Sequence, residues 1–259
     1  MGRDAEARAR RAVVTAEWAA TSNDPIGVET LRRMASVDRY NRWIYDEIRA
    51  YAGQRILEVG CGIGNMTAFF LDRSLLVALD LLPEAAALVR EKYAGHANLI
   101  TWQGDITSEA TVARLEPYGF DTVVCLNVLE HIRDDARALA HMYRVLQQGG
   151  RLLLVTPAGR YLYGTLDQGL GHYRRYERKP LGDLVASVGF VVERLRYMNL
   201  AGVPGWFLSS RVLRHRILPR AGLRGFNALA PLFIAAEKAL RAVVDVPWGQ
   251  SLVCIARKG

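Results

Sequence analysis

Between residues 55 and 155, five short apolar runs alternate with stretches of helical pattern, and this alternation constrains the fold more than any other feature of the chain. The runs lie at 55–59, 75–79, 99–102, 121–126 and 151–155. They are near-continuously apolar, which is the composition of parallel strands covered by helices on both faces. Helical pattern fills 65–71, 83–93 (with Pro83 in the first turn), 108–115 and 133–146. The chain therefore reads as α/β, a doubly wound sheet. Two further strands, at 190–197 and 251–256, bring the expected number to seven. Upstream, 28–51 reads as helix, with a second helix starting near Ser36 and Gly53 as the stop. Pro157 breaks the pattern; 158–179 reads as loop and 180–188 as a short helix.

About fifty residues, 199–248, separate the last two strands and read as helices carrying Trp206, Phe207, Leu213, Phe226, Leu229, Leu232 and Phe233. An insertion this long and apolar needs something to cover. A helical cap over the active site is the expected role, with a dimer face or ordinary core as the alternative. The expected organisation is an N-terminal extension at 1–26, a core at 27–198 plus 249–259, and a cap at 199–248.

The formal charge is +8, and thirty of the 34 basic residues are Arg. Residues 200–259 hold seven Arg and two Lys against Glu237 and Asp245, so nearly all of the excess is there. Three readings stay open: an anionic or lipid-like substrate nearby, peripheral contact of 206–236 with a membrane, or a solvated Arg-rich face. No nucleic-acid recognition motif accompanies the charge, so no nucleic-acid partner is expected. Cys61, Cys125 and Cys254 are scattered and read as buried free thiols, which points to a reducing compartment. They lack metal-ligand spacing, and no metal is expected. The sequence has no membrane-spanning run and its first residues lack a signal-peptide apolar core, so a cytoplasmic protein is expected. Oligomeric state stays open.

The chemistry begins at Glu58-Val59-Gly60-Cys61-Gly62-Ile63-Gly64-Asn65, glycines set between a strand and a helix. Missing Cβ atoms let the backbone turn tightly against a ligand. A dinucleotide-binding GxGxxG loop would place a glycine where Asn65 stands. Glu58 would also repel a pyrophosphate and suits a cationic ligand. Asp80 ends the second strand twenty residues after Gly60, where a carboxylate accepts both hydroxyls of a ribose; capping the next helix is the alternative. Asp105 follows the third strand and can accept from an adenine amino group with Ile106 against the ring, or be a simple loop residue. Cys61 and Leu81, adjoining these groups, join the cofactor set.

Leu57–Asn65, Asp80, Gly104-Asp105-Ile106, 120–125, Asn127-Val128-Leu129-Glu130-His131 and 146–152 together resemble the class I S-adenosylmethionine-dependent methyltransferases. The resemblance is strong over 38–157. It implies seven strands in the order 3-2-1-4-5-7-6 with strand 7 antiparallel, and S-adenosylmethionine as cofactor with S-adenosylhomocysteine as product. It also implies that Asn127 and Val128 run beneath the methionine moiety and that Tyr40, on a helix before the loop, contacts it.

His131 follows the fourth strand at the functional edge of the sheet, either as a general base, as a hydrogen-bonding group or as a structural group. His172-Tyr173-Arg174-Arg175-Tyr176 follows the fifth strand and can overhang the same pocket. His172 is the second candidate base. Arg174 and Arg175 are candidates to hold an acidic group, with Tyr176, Tyr163 and Trp206 completing the substrate set; locking the loop is the alternative. The main expectation is methylation of a small, partly hydrophobic, acidic metabolite of specialised metabolism. Alternatives are methylation of an isoprenoid or lipid precursor, a non-catalytic cofactor-binding scaffold, an RNA or protein methyltransferase, and, most weakly, a dehydrogenase. The sequence does not choose among O, N and C as acceptor atom, but Asp134 and Asp135 read as first-turn helix acids and not as a pair to hold Mg²⁺, so a catechol type is not expected.

Overall fold

The computed structural model describes residues 25–259. Residues 1–24 of the expected extension lie outside the described residues. Helices α1 (Pro25–Met34) and α2 (Asp38–Ile48) precede β1 (Arg55–Val59). There follow β2 (Leu75–Asp80), α3 (Pro83–Lys92), β3 (Leu99–Gln103), α4 (Glu109–Leu115), β4 (Phe120–Leu126), α5 (Asp135–Val145) and β5 (Leu146–Pro157). After α6 (Thr165–Gly169) and α7 (Arg178–Ser187), β6 (Phe190–Met198) leads into α8 (Gly202–Phe207), α9 (Arg220–Arg241) and β7 (Ser251–Lys258).

The seven strands form one sheet in the order β3-β2-β1-β4-β5-β7-β6. The first five pair in parallel, and β7 lies antiparallel to both β5 and β6. Because successive strand residues face opposite sides, the core divides in two. Leu57, Val77, Val123, Leu152 and Cys254 face α4, α5 and α7. Ile56, Leu76, Val124, Leu153 and Val253 face α2, whose Val37, Trp43, Ile44 and Ile48 pack on them. All three cysteines are buried and free.

One expected helix does not form. Over 65–71 the chain makes only a short 3-10 turn, Thr67–Phe70. Gly64 at φ +75° reorients the backbone just before it, and the Thr67 side chain turns inward to Glu58. Residues 158–179, expected as loop, contain the one-turn α6.

The inserted helices pack on α2 and on the loop after β5. Phe226 of α9 meets Tyr40 edge to face, with centroids 5.9 Å apart. Glu237 accepts from the amides of Asn199 and Leu200 at 3.0 and 2.8 Å. Helix α1 bridges the glycine loop and the cap. The Leu31 side chain lies against Gly62, Asn65 donates to the Leu31 carbonyl at 3.1 Å, and Arg33 donates to the Leu218 carbonyl. Arg220 reaches Glu29 at 2.9 Å. No helix among the described residues is long and apolar enough to cross a membrane.

Candidate functional site

The chain leaves β1 toward β2 and β3 on one side, and β4 continues toward β5 on the other. At such a switch point the loops diverge and leave a crevice at the carboxyl ends of the strands. The glycine loop forms one wall of it and the turn after β4 forms the other.

Gly60, Gly62 and Gly64 have φ of +76°, +52° and +75°, a region that a side chain strains. A Cβ on Gly60 would lie 2.3 Å from Val128 Cγ2, and one on Gly62 3.2 Å from Leu31. Asp80 accepts from the Gly62 amide at 2.8 Å and from the Leu82 amide at 3.0 Å, one on each oxygen. A carboxylate offers about four acceptor positions, so both oxygens keep capacity for ribose hydroxyls. Burial pushes the Asp80 pKa up, against the pull of those amides. Glu58 is buried beneath the loop and accepts from Thr67 Oγ1 at 2.6 Å. Burial raises its pKa to about 8, opposed by the Thr67 bond and by Lys92 and assisted by the charge of Asp80. Two acids thus share one poorly hydrated region, which favours a cationic ligand.

The remaining cofactor candidates divide by environment. Leu81 and Leu82 are exposed beside Asp80 and offer a flat apolar surface. Asp105 is exposed; its Oδ1 accepts from both the amide and the hydroxyl of Thr107 at 2.8 Å. Ile106 is buried in the core and Cys61 is buried within the loop. Asn127 adopts φ +54° and donates its amide to the Val155 carbonyl at 2.8 Å, which sets the turn. Tyr40 is buried, with its hydroxyl toward Ser251 and Asn199.

The second cluster lies across the crevice. The His131 and His172 rings meet edge to face with centroids 4.7 Å apart. His131 is reachable by solvent yet sits in a recess; lost hydration, with His172 next, lowers its pKa to about 4. His172 Nδ1 donates to Asp167 Oδ1 at 2.9 Å, which leaves Nε2 for the pocket. Asp167 is fully buried and also accepts from Arg175 Nε at 2.7 Å, the Gly164 amide at 3.0 Å and Trp206 Nε1 at 3.3 Å. Burial opposes its ionisation, but the His172 bond and the Arg175 charge win and hold its pKa below the usual value. Glu130 is fully buried and neither carboxylate oxygen has a hydrogen-bond partner. Its pKa is pushed up to about 8, chiefly by burial.

Of the expected substrate set, Arg175 belongs to this cluster, with Nη2 buried and unpartnered. Arg174 and Tyr176 do not; both are held by Asp135, at 2.5 and 2.9 Å. Tyr163 donates to the His172 carbonyl at 2.8 Å. These four line a cavity of about 490 Å³ between the loop after β5 and α7. Trp206 is buried on Asp167 and Arg175 and anchors the cap. Asp167 and Glu130 were absent from the expected site set. An Asp five residues before a His, and a Glu adjoining one at the end of β4, are the signals that could have found them.

The fit to a cationic nucleoside has a proton consequence. S-adenosylmethionine carries one more positive charge than S-adenosylhomocysteine. Binding the former at pH 7 is expected to expel a proton from Glu58, and binding the latter to expel less. Calorimetry in two buffers of different ionisation enthalpy measures the difference, and equal release by both ligands would contradict it. In the ligand-free protein the raised Glu58 pKa stabilises the fold below about pH 4.5, the unfolded value, and that contribution is lost as pH rises through about 8.

The model of the family described as "Methyltransferase domain" matches residues 57–152. A ubiquinone biosynthesis O-methyltransferase of Pseudomonas putida (strain GB-1) is 28% identical over 164 residues, 58% of this chain and 70% of that protein. The protein of the same description from Pseudomonas entomophila (strain L48) is 32% identical over 114 residues, 44% of this chain and 48% of that protein. Among solved structures, an S-adenosylmethionine-dependent methyltransferase of Mesorhizobium loti superposes with a TM-score of 0.52 at 18% identity, covering 82% of this chain and 96% of that one. The chain has the class I methyltransferase fold.

Proposed function

We propose that this protein is an S-adenosylmethionine-dependent methyltransferase and that it methylates a hydroxyl oxygen on an aromatic or enolic head group that carries an isoprenoid or other lipid-like tail. The observation that carries the reading is the junction at Trp206. Its indole is buried on Asp167, inside the polar cluster, and the very next residues, Phe207, Leu208, Val212 and Leu213, are exposed and apolar. Arg214 and Arg216 stand exposed beside them. One segment thus joins a polar recess for a head group to an apolar, basic rim for a tail and an anionic membrane surface. The names of the Pseudomonas relatives favour oxygen as the acceptor atom. A head group that also bears a carboxylate is the second reading, favoured by the buried, unpartnered Nη2 of Arg175.

Bound at the glycine loop, the cofactor supplies an electrophilic methyl group, and the C–S electron pair returns to sulfur on transfer. The residues of the chain have three tasks. Asp80 and the glycines fix the nucleoside so that the methyl is aligned for attack. The turn at Asn127 carries Glu130 and His131 to the opposite wall, where the acceptor hydroxyl loses its proton. The cap, pinned by Trp206, excludes water.

The test compares a prenylated catechol in liposomes with the same catechol lacking its tail, products being identified by mass spectrometry. Burying even part of a five-carbon unit, at about 0.8 kcal/mol per CH₂, gives the tailed acceptor at least a roughly tenfold higher kcat/KM. Equal rates, or methyl found only on nitrogen or carbon, would refute the proposal.

A further inference from the structure

We propose that Glu130, His131 and His172 hold a divalent metal ion of borderline character, such as Zn²⁺, Mn²⁺ or Co²⁺, on which the acceptor oxygen is bound and ionised. This reverses the sequence-based expectation of no metal, and its catalytic role rests on the oxygen-methylation reading above.

The ligand atoms of these three side chains all lie within 4.8 Å of one another. Metal–ligand bonds of about 2.0–2.2 Å put neighbouring ligand atoms roughly 3 Å apart, so the set closes on an ion by side-chain movement of about an ångström. Three features point to an ion and not to a chance grouping. The first is Glu130, whose two oxygens are fully buried without a donor. A buried carboxylate left this way is costly unless it is paired, protonated or bound to a metal. The second is that the nearby cation is already committed. Arg175 gives Nε to Asp167 and Nη1 to the Ala158 carbonyl at 2.8 Å. The region then holds two carboxylates against one guanidinium. The third is the bond from His172 Nδ1 to Asp167, which fixes the ring with Nε2 outward; a carboxylate behind an imidazole is the usual support of a metal-binding histidine.

Two imidazoles and one carboxylate are a nitrogen-rich set that suits Zn²⁺, Mn²⁺ or Co²⁺ better than Mg²⁺ or Ca²⁺, which prefer oxygen. Three protein ligands leave positions open for acceptor or water oxygens. A hydroxyl bound there loses its proton to solvent at neutral pH, as metal-bound water does. The resulting oxyanion attacks the methyl carbon, the C–S bond breaks, and its electron pair goes to sulfur. Two adjacent hydroxyls would chelate the ion, so a catechol is favoured over a simple phenol.

The full-length protein, stripped with a chelator, is titrated with Co²⁺ and followed by its visible d–d absorption, and with Mn²⁺ followed by electron paramagnetic resonance. One ion per chain is expected, bound at least tenfold more weakly by each of Glu130→Gln, His131→Gln and His172→Gln. S-adenosylhomocysteine affinity serves as the folding control and is expected to change less than threefold. His131→Gln, at an exposed position, keeps the test decisive if the buried substitutions unfold the chain. Absence of stoichiometric binding, or equal binding by wild type and a folded variant, would overturn the inference. Ion binding without methylation of any catechol would leave the site standing and remove the acceptor assignment. Methylation of the catechol by ion-free protein at the full rate would overturn the ion's role in ionising the acceptor.

Discussion

Asp167→Ala is expected to lower the free energy of unfolding by about 3–5 kcal/mol, more than any other single substitution in the loop after β5. Asp167 accepts from four donors: His172, Arg175, Trp206 and the Gly164 amide. Its removal leaves the Arg175 guanidinium, whose side chain is fully buried, without its carboxylate. Water has little access to repair the loss. Asp167→Asn keeps the volume and some accepting capacity, and an intermediate loss is expected. Denaturant unfolding measures both, and a change below about 1 kcal/mol for the alanine variant would show that the buried charges are compensated elsewhere. The same hub joins the loop to the cap through Trp206, so limited proteolysis between residues 207 and 220 is expected to accelerate in Asp167→Ala.

Gly60→Ala is expected to weaken S-adenosylhomocysteine binding by roughly a hundredfold, about 2.7 kcal/mol. Gly60 sits at φ +76°, and its new Cβ would meet Val128 at 2.3 Å. Val128 is β-branched and cannot swing aside easily. Relief requires the glycine loop to part from the turn after β4, which is the crevice itself. Holding an alanine in a left-handed conformation adds about 1–2 kcal/mol. Isothermal titration measures the affinity; a loss under threefold would mean that the loop is not the cofactor's seat. Gly119→Ala provides the contrast. It shares a positive φ, but no atom lies within 4 Å of its added Cβ, so cofactor affinity should hold.

The strands and the glycine loop were legible because each rests on local pattern; the strand order was expected from the family resemblance, and the sheet has that order. A parallel strand buried on both faces must be apolar throughout, and a turn at positive φ calls for glycine. Asp80 was legible for the same reason, since its place at the end of β2 follows from strand length. The polar cluster was only half legible. His131 and His172 were found as residue types, but Asp167 acquires meaning from its bonds to His172, Arg175 and Trp206, and Glu130 from its burial beside His131 and His172. Arg174 and Tyr176 look interchangeable with Arg175 in the sequence. One residue of register separates them, and it turns Arg174 toward Asp135 and Arg175 toward Asp167. Trp206 was expected against the substrate because apolar residues of an insertion seek something to cover. In the structure its indole N–H donates to Asp167 and its ring lies on Arg175, because a buried indole N–H needs an acceptor.

Helix α1 touches Gly62 through Leu31 and the cap through Arg33 and Glu29. One ten-residue helix therefore ties the glycine loop to the inserted helices, so neither can be displaced without working against the contacts of the other.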